Sequence, residues 1–226
     1  ERGLDLVAVP SIWGSGAEVS PVAVYTDGVK KLFYMDEKLK PRYRCIVPEM
    51  AETIPDDLAK YGCGDSWSHV LEGSISPLSD EENSRDGANL IREMLAVRTN
   101  QDPIWFELSA RACLIQSSSS VGLIHSIAHT LEPILHQERP KENWGHSKLC
   151  SILTWPVYLK FIKNSTKWKS FADKYNINES DISAELYSFF EVDEYDSILD
   201  QITENWKEIL RHPFTRTNSC VIRRND

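Results

Sequence analysis

Hydrophobic periodicity changes once along this chain, near residue 55, and that change limits the folds open to it. Upstream, short runs read as strands: Leu4 to Val9 closed by Pro10, Val19 to Tyr25 ended by the turn Thr26-Asp27-Gly28, Lys31 to Met35, and Tyr43 to Val47. After Pro55 the β-branched alternation stops and helical spacing takes over. It runs through Asp57 to Tyr61, Asp65 to Gly73, Glu81 to Val97, Trp105 to Gln116, Leu123 to Leu135, Leu149 to Ile162, Ser170 to Tyr175, Asp181 to Phe189 and Ile198 to Leu210. Ser79 and Asp80 ahead of Glu82, and the pair Asp102-Pro103, supply start signals. The expected fold is mainly α: a small β-hairpin unit over residues 1–54, then an all-helical domain over 55–226.

Charge and composition exclude several functions. With 25 basic against 34 acidic residues the net charge is −9, so a phosphate-binding surface is not expected, and two arginines in the terminal RRND do not make a nucleic-acid site. No apolar run reaches the roughly 18 to 20 residues needed to span a bilayer, and the opening ERGLDLVAVP has no basic n-region. A soluble, cytoplasmic protein with no membrane partner is expected. Five cysteines, an odd number without paired metal spacing, suit reduced thiols better than a disulfide framework. The run Ser117 to Ser120 reads as a helix distortion or a close small-residue contact.

The chemistry is concentrated in two pairs. Asp65 and His69 stand four apart, as do His125 and His129, so each pair projects from one side of its helix. A carboxylate and imidazoles converging from different helices are ordinary ligands for Fe2+ or Zn2+. The plainer reading of one such pair is a cap plus a surface histidine. His125, however, sits between Ile124 and Ile127, where an unpaired imidazole would lose its water contacts at a cost of a few kcal/mol. His146, at the start of another apolar helix, is placed to close the cage. His136 reads as a loop histidine, and the acidic stretch Glu191 to Asp200 as a solvated face. The tryptophans read as core, with Trp67 and Trp13 the two placed to line a pocket.

Four blocks, in order, carry a resemblance: VAVPSIWGSGAEVSPVAVYTD, LKPRYRCIVPEMAETIPDDLAKYGCGDSWSHVLEG, SARACLIQSSSSVGLIHSIAHTLE and NWGHSKLCSILTWPVYLKF. The chain resembles the C-terminal part of the iron-containing (group III) alcohol dehydrogenases, in the dehydroquinate synthase-like superfamily. The resemblance implies an oxidoreductase with NAD or NADP, a divalent metal and a small alcohol or aldehyde substrate. It implies metal ligation by Asp65, His69, His125 and His146. It sets His129 beside the nicotinamide as the catalytic histidine, to relay a proton or position substrate, the alternative being structural work. It assigns Ser11, Gly14, Ser15 and Gly16 to a cofactor-contacting turn, and residues 1–54 to the tail end of an α/β dinucleotide-binding domain.

Departures from that pattern shape further expectations. No Gly-x-Gly-x-x-Gly or Gly-Gly-Gly-Ser loop occurs, so the chain is expected to be a fragment or a truncated form, with Leu4 to Pro10 orphaned from its sheet. An exposed strand edge favours pairing, and a homodimer is expected. Ile12 and Ser147 stand where the family usually has threonine and glycine. The alternatives are a non-catalytic helical metal-binding module, or a dehydroquinate synthase-like cyclase, which would need cations for a phosphorylated substrate; only Lys148 and Arg111 lie nearby in sequence.

Overall fold

The computed structural model describes residues 5–27 and 30–225. Leu4 and Gly28, in the first expected strand and the expected turn, lie outside the described residues. Among the described residues, four short strands precede the α-helices. β1 (Val7–Ala8) pairs in parallel with β4 (Tyr43–Arg44), and β2 (Val22–Asp27) pairs antiparallel with β3 (Lys30–Met35), Val22 facing Met35. The first strand is therefore not orphaned: it finds a partner some 35 residues on. Leu6, Val7, Val9 and Tyr43 are exposed beside this ribbon.

Helix α1 (Asp56–Ile75) is the axis of the molecule. Asp56 and Asp57 in its first turn oppose the positive end of the helix dipole, and Pro55 precedes it without blocking a needed hydrogen bond. Sequence spacing divides this stretch into two helices, whereas the chain forms one of 20 residues. The reason is burial on every side: α3 (Trp105–Ser117) and α5 (His146–Val157) both pack on α1, so it has no polar face to reveal a period. Trp67 is wholly buried in this core and lines no pocket.

The remaining helices enclose that axis. α2 (Glu81–Ala96) starts at Asp80, whose carboxylate accepts from Asn83 N, and α4 (Leu123–Glu138) carries Pro133 inside it. The α3–α4 connection holds the serine run, where Ser119 Oγ donates to Gly73 O at 2.8 Å, a close contact with α1. α5 contains Pro156 and runs into a π-helical turn, Tyr158–Ile162. α6 (Thr166–Tyr175), α7 (Glu179–Phe189), α8 (Val192–Asp196), α9 (Leu199–Glu204) and α10 (Trp206–Arg211) complete the shell, the last two dividing the single helix expected from 198 to 210.

The acidic stretch is only partly a solvated face. Glu191 accepts from Lys60 Nζ at 2.8 Å and Glu194 from Lys148 Nζ at 2.7 Å, tying α8 back to α1 and α5. No helix among the described residues is long and apolar enough to cross a membrane.

Candidate metal centre

Helix α1 sets Asp65, His69 and Glu72 along one side, because steps of four and three residues return to nearly the same azimuth. All three are buried. Helix α4 begins beside them at Gly122, which brings no capping side chain, and Glu72 supplies the cap from a distance of fifty residues in sequence. Its Oε2 accepts from Gly122 N and its Oε1 from Ile124 N, both at 2.7 Å. The same Oε2 lies 2.8 Å from His125 Nδ1, so one ring nitrogen of His125 is committed and the other, Nε2, has no hydrogen-bond partner. A carboxylate holding one imidazole nitrogen fixes the tautomer that leaves the second lone pair free for a cation.

The start of α5 brings the third face. Ser147 Oγ donates to Asp65 Oδ2 at 2.9 Å, leaving Oδ1 unpartnered, and His146 Nδ1 lies 3.3 Å from Glu132 Oε2 on α4. The rings of His69 and His125 stack at 4.7 Å, and those of His125 and His146 are 5.5 Å apart. Ligand atoms of Asp65, His125, His146 and Cys150 all lie within 4.8 Å of one another. His69 is not in that tightest set, although its ring packs on it.

Electrostatics suit a cation. Burial lowers His69 to about 4 and His125 to about 3, against attraction from Asp65, so both present neutral lone pairs. Burial alone would raise Asp65, but His69, His146, His125 and the Ser147 hydrogen bond outweigh it and keep the carboxylate ionised. Burial likewise pushes the Cys150 thiol well up. Asp65 Oδ1, His69 Nδ1 and His125 Nε2 are thus buried without partners, each a loss of about 1–3 kcal/mol. A divalent ion would satisfy Asp65 Oδ1 and His125 Nε2 together, so the donors fit such a group.

These shifts carry a prediction for the metal-free chain. An imidazole titrates near 6.5 when unfolded, so as pH falls the unfolded chain binds protons first and the fold loses stability from about 6.5 toward 4. Glu72 acts oppositely: burial raises it to about 7, so its contribution is full below about 4.5 and is lost as pH rises through 7. His69, His125, His129 and His212 are all lowered, against Glu72, Glu18 and Glu185 raised by burial; the folded imidazoles take up protons only below 6.5 and set the sign between pH 5 and 7. The urea midpoint is expected to be lower at pH 5 than at pH 7; an equal or higher midpoint would mean that the imidazoles are charged in the folded chain.

His129 stands at the rim, its ring 5.1 Å from His146, 5.6 Å from His212 and 5.3 Å from Phe214. Burial lowers its basicity, with His146 and His125 adding to the effect. Beside it, Lys31 of β3 pairs with Glu132, and Phe33 stacks on Phe214 at 6.0 Å, which seats the hairpin over this end of α4.

Sequence reasoning missed several of these groups. Glu72 and Glu132 follow Asp65 and His125 by seven residues, and Cys150 follows His146 by four, so helical spacing could have found them. Lys31, His212 and Phe214 come from distant segments and leave no such signal. His136 is not in a loop; it is exposed on the last turn of α4.

The turn at residues 11–16 packs against α1 and α3. Trp13 is buried, donates from Nε1 to Ala59 O at 2.9 Å, and meets Phe106 edge-on, so it anchors the turn rather than lining a pocket. Gly14 N donates to Ser109 Oγ at 2.8 Å, and a methyl on Gly14 would stand 3.2 Å from Asp65 Oδ2 and from Ser147 Oγ. Gly16 adopts φ +60°, a left-handed conformation that glycine takes freely. Ser11 and Ser15 are exposed. Lys148 and Arg111 are committed elsewhere, to Glu194 and Glu93. A cavity of about 880 Å³ between α5, α9 and α10, lined by Leu153, Val157, Ile202 and Leu210 among others, contains none of the clustered residues.

No protein-family model matches the sequence. The bifunctional aldehyde-alcohol dehydrogenase of Escherichia coli K12 is 27% identical over 143 residues, 58% of this chain and 16% of that protein. The NAD-dependent methanol dehydrogenase of Bacillus methanolicus is 29% identical over 136 residues, 55% of this chain and 35% of that one. The fold matches the iron-containing alcohol dehydrogenase of Thermotoga maritima with a TM-score of 0.70 at 18% identity, over 96% of this chain and 60% of that one.

The curated relatives of this chain are alcohol dehydrogenases, and its fold is that of an iron-containing one. The match to sulfoacetaldehyde reductase from Bifidobacterium kashiwanohense, solved with NAD+, has a TM-score of 0.78 at 16% identity and covers 98% of this chain but 62% of that one. This chain therefore spans less than two thirds of each relative and solved structure named here, and corresponds to the C-terminal helical part of the iron-containing alcohol dehydrogenase fold. At these identities the structural likeness establishes the mainly helical fold.

Proposed function

We propose that this chain is the metal-binding helical part of a metal-dependent alcohol dehydrogenase or aldehyde reductase, which transfers hydride between NAD(P) and a small alcohol or aldehyde. The observation that carries this reading is the convergence of Asp65, His125 and His146, with Asp65 Oδ1 and His125 Nε2 buried and unpartnered. Asp65, His69, His125 and His146 hold Fe2+ or Zn2+ in this reading. A cation there supplies Lewis acidity, which acidifies an alcohol and polarises an aldehyde.

The chain's own residues prepare the site. Glu72 holds His125 with Nε2 turned inward, and Ser147 orients Asp65. His129, neutral and at the rim with His146, His212 and Phe214 around it, relays a proton or positions the substrate in this reading. The backbone turn of Ser11, Gly14, Ser15 and Gly16, which abuts Asp65 through Gly14, is the cofactor-facing edge. Residues 1–54 belong in this reading to a nucleotide-binding domain, and 55–226 form the metal-binding domain.

Elemental analysis after anaerobic loading with Fe2+ or Zn2+ tests this. The parent chain is expected to retain about one metal per chain, and Asp65→Ala and His125→Ala to retain little. Equal retention by parent and variants would overturn the assignment.

A further inference from the structure

We infer that the Cys150 thiolate is itself a metal ligand, so that the centre is a mixed carboxylate, imidazole and thiolate site. This rests on the metal reading above. Cys150 lies one helical turn after His146 on α5, and its Sγ is 3.5 Å from His146 Nε2. It shares the 4.8 Å cluster with Asp65, His125 and His146. It is fully buried, and two further buried groups, Asp65 Oδ1 and His125 Nε2, stand unpartnered beside it.

The other buried cysteines are placed differently. Cys63 points at Asn100 O and Cys113 lies beside Ser117 and Gln116, and neither belongs to the cluster. Burial alone therefore does not account for where Cys150 sits. On metal binding the S–H bond breaks, a sulfur–metal bond forms and the proton leaves to solvent, as for any coordinating thiol. Sulfur is a softer donor than imidazole or carboxylate, so its entry biases the site from Fe2+ toward Zn2+. His69, stacked on His125 but outside the tightest set, becomes the more distant donor.

Cobalt reads this directly, because Co2+ bound through thiolate shows an intense sulfur-to-metal charge-transfer band in the near ultraviolet that nitrogen and oxygen ligands do not give. The full chain titrated anaerobically with Co2+ is expected to develop that band, saturating at about one ion per chain. Cys150→Ser is expected to bind Co2+ without the band, whereas Cys63→Ser keeps it, with circular dichroism confirming that each variant folds. Co2+ uptake that depends on Asp65 but shows no band would overturn the inference and leave the metal reading standing. A band that survives in Cys150→Ser would also overturn it. Absence of Co2+ uptake by the parent would overturn both.

Discussion

Glu72→Ala is expected to destabilise the chain by roughly 3–5 kcal/mol and to weaken metal binding by about 10- to 100-fold. The side chain is buried and serves three partners on another helix: Gly122 N, Ile124 N and His125 Nδ1. Alanine leaves two amides at the start of α4 unsatisfied in the interior, where water cannot reach them. It also frees the His125 ring to rotate or change tautomer, and the loss therefore appears in metal affinity as well as in stability. Glu72→Gln retains an acceptor for one amide but presents an NH2 group to another donor, and should fall between parent and alanine. Urea denaturation and metal titration of the three proteins check this. If Glu72→Ala kept the parent's urea midpoint, the cap would contribute nothing.

Gly64→Ala should be nearly as damaging, for a steric reason. A methyl at Gly64 would lie 2.2 Å from Ser151 Oγ, 2.6 Å from Ser151 Cβ and 2.8 Å from its Cα. The last of these is backbone and cannot rotate away, so α1 must move off α5. A cost of about 3 kcal/mol is expected, or a fall in melting temperature of roughly 6–12 °C. Asp65 is the next residue, and α5 carries Ser147, His146 and Cys150, so the same displacement opens the cluster and metal content should fall too. The double variant Gly64→Ala with Ser151→Gly removes the two side-chain clashes and should recover part of both losses. Thermal melting and elemental analysis of the single and double variants decide it. A single variant that melts with the parent and keeps its metal would mean the helices are not in contact as described.

Helices with one wet face were legible from spacing alone. α2 starts and stops within a residue of where periodicity places it, because its polar and apolar sides alternate as 3.6-residue geometry requires. α1 was cut in two because a helix buried all round has no such alternation. Long-range backbone pairing was equally hidden: nothing local in Leu4 to Val9 says that Tyr43–Arg44 will lie beside it. The candidate site divides the same way. Asp65, His69, His125 and His129 announce themselves because pairs four apart on a helix share a side.

The order of residues determined by itself which donors could act together within one helix, since helical geometry is local. It also determined a mainly helical domain behind a β unit, through the switch in hydrophobic period. Only the tertiary structure decided which helices meet. It brought Glu72 under the start of α4, Ser147 against Asp65, Lys31 onto Glu132 and Cys150 beside Asp65, His125 and His146. Those juxtapositions depend on how α1, α4 and α5 pack, and packing depends on the shapes of many side chains at once, which no local spacing encodes.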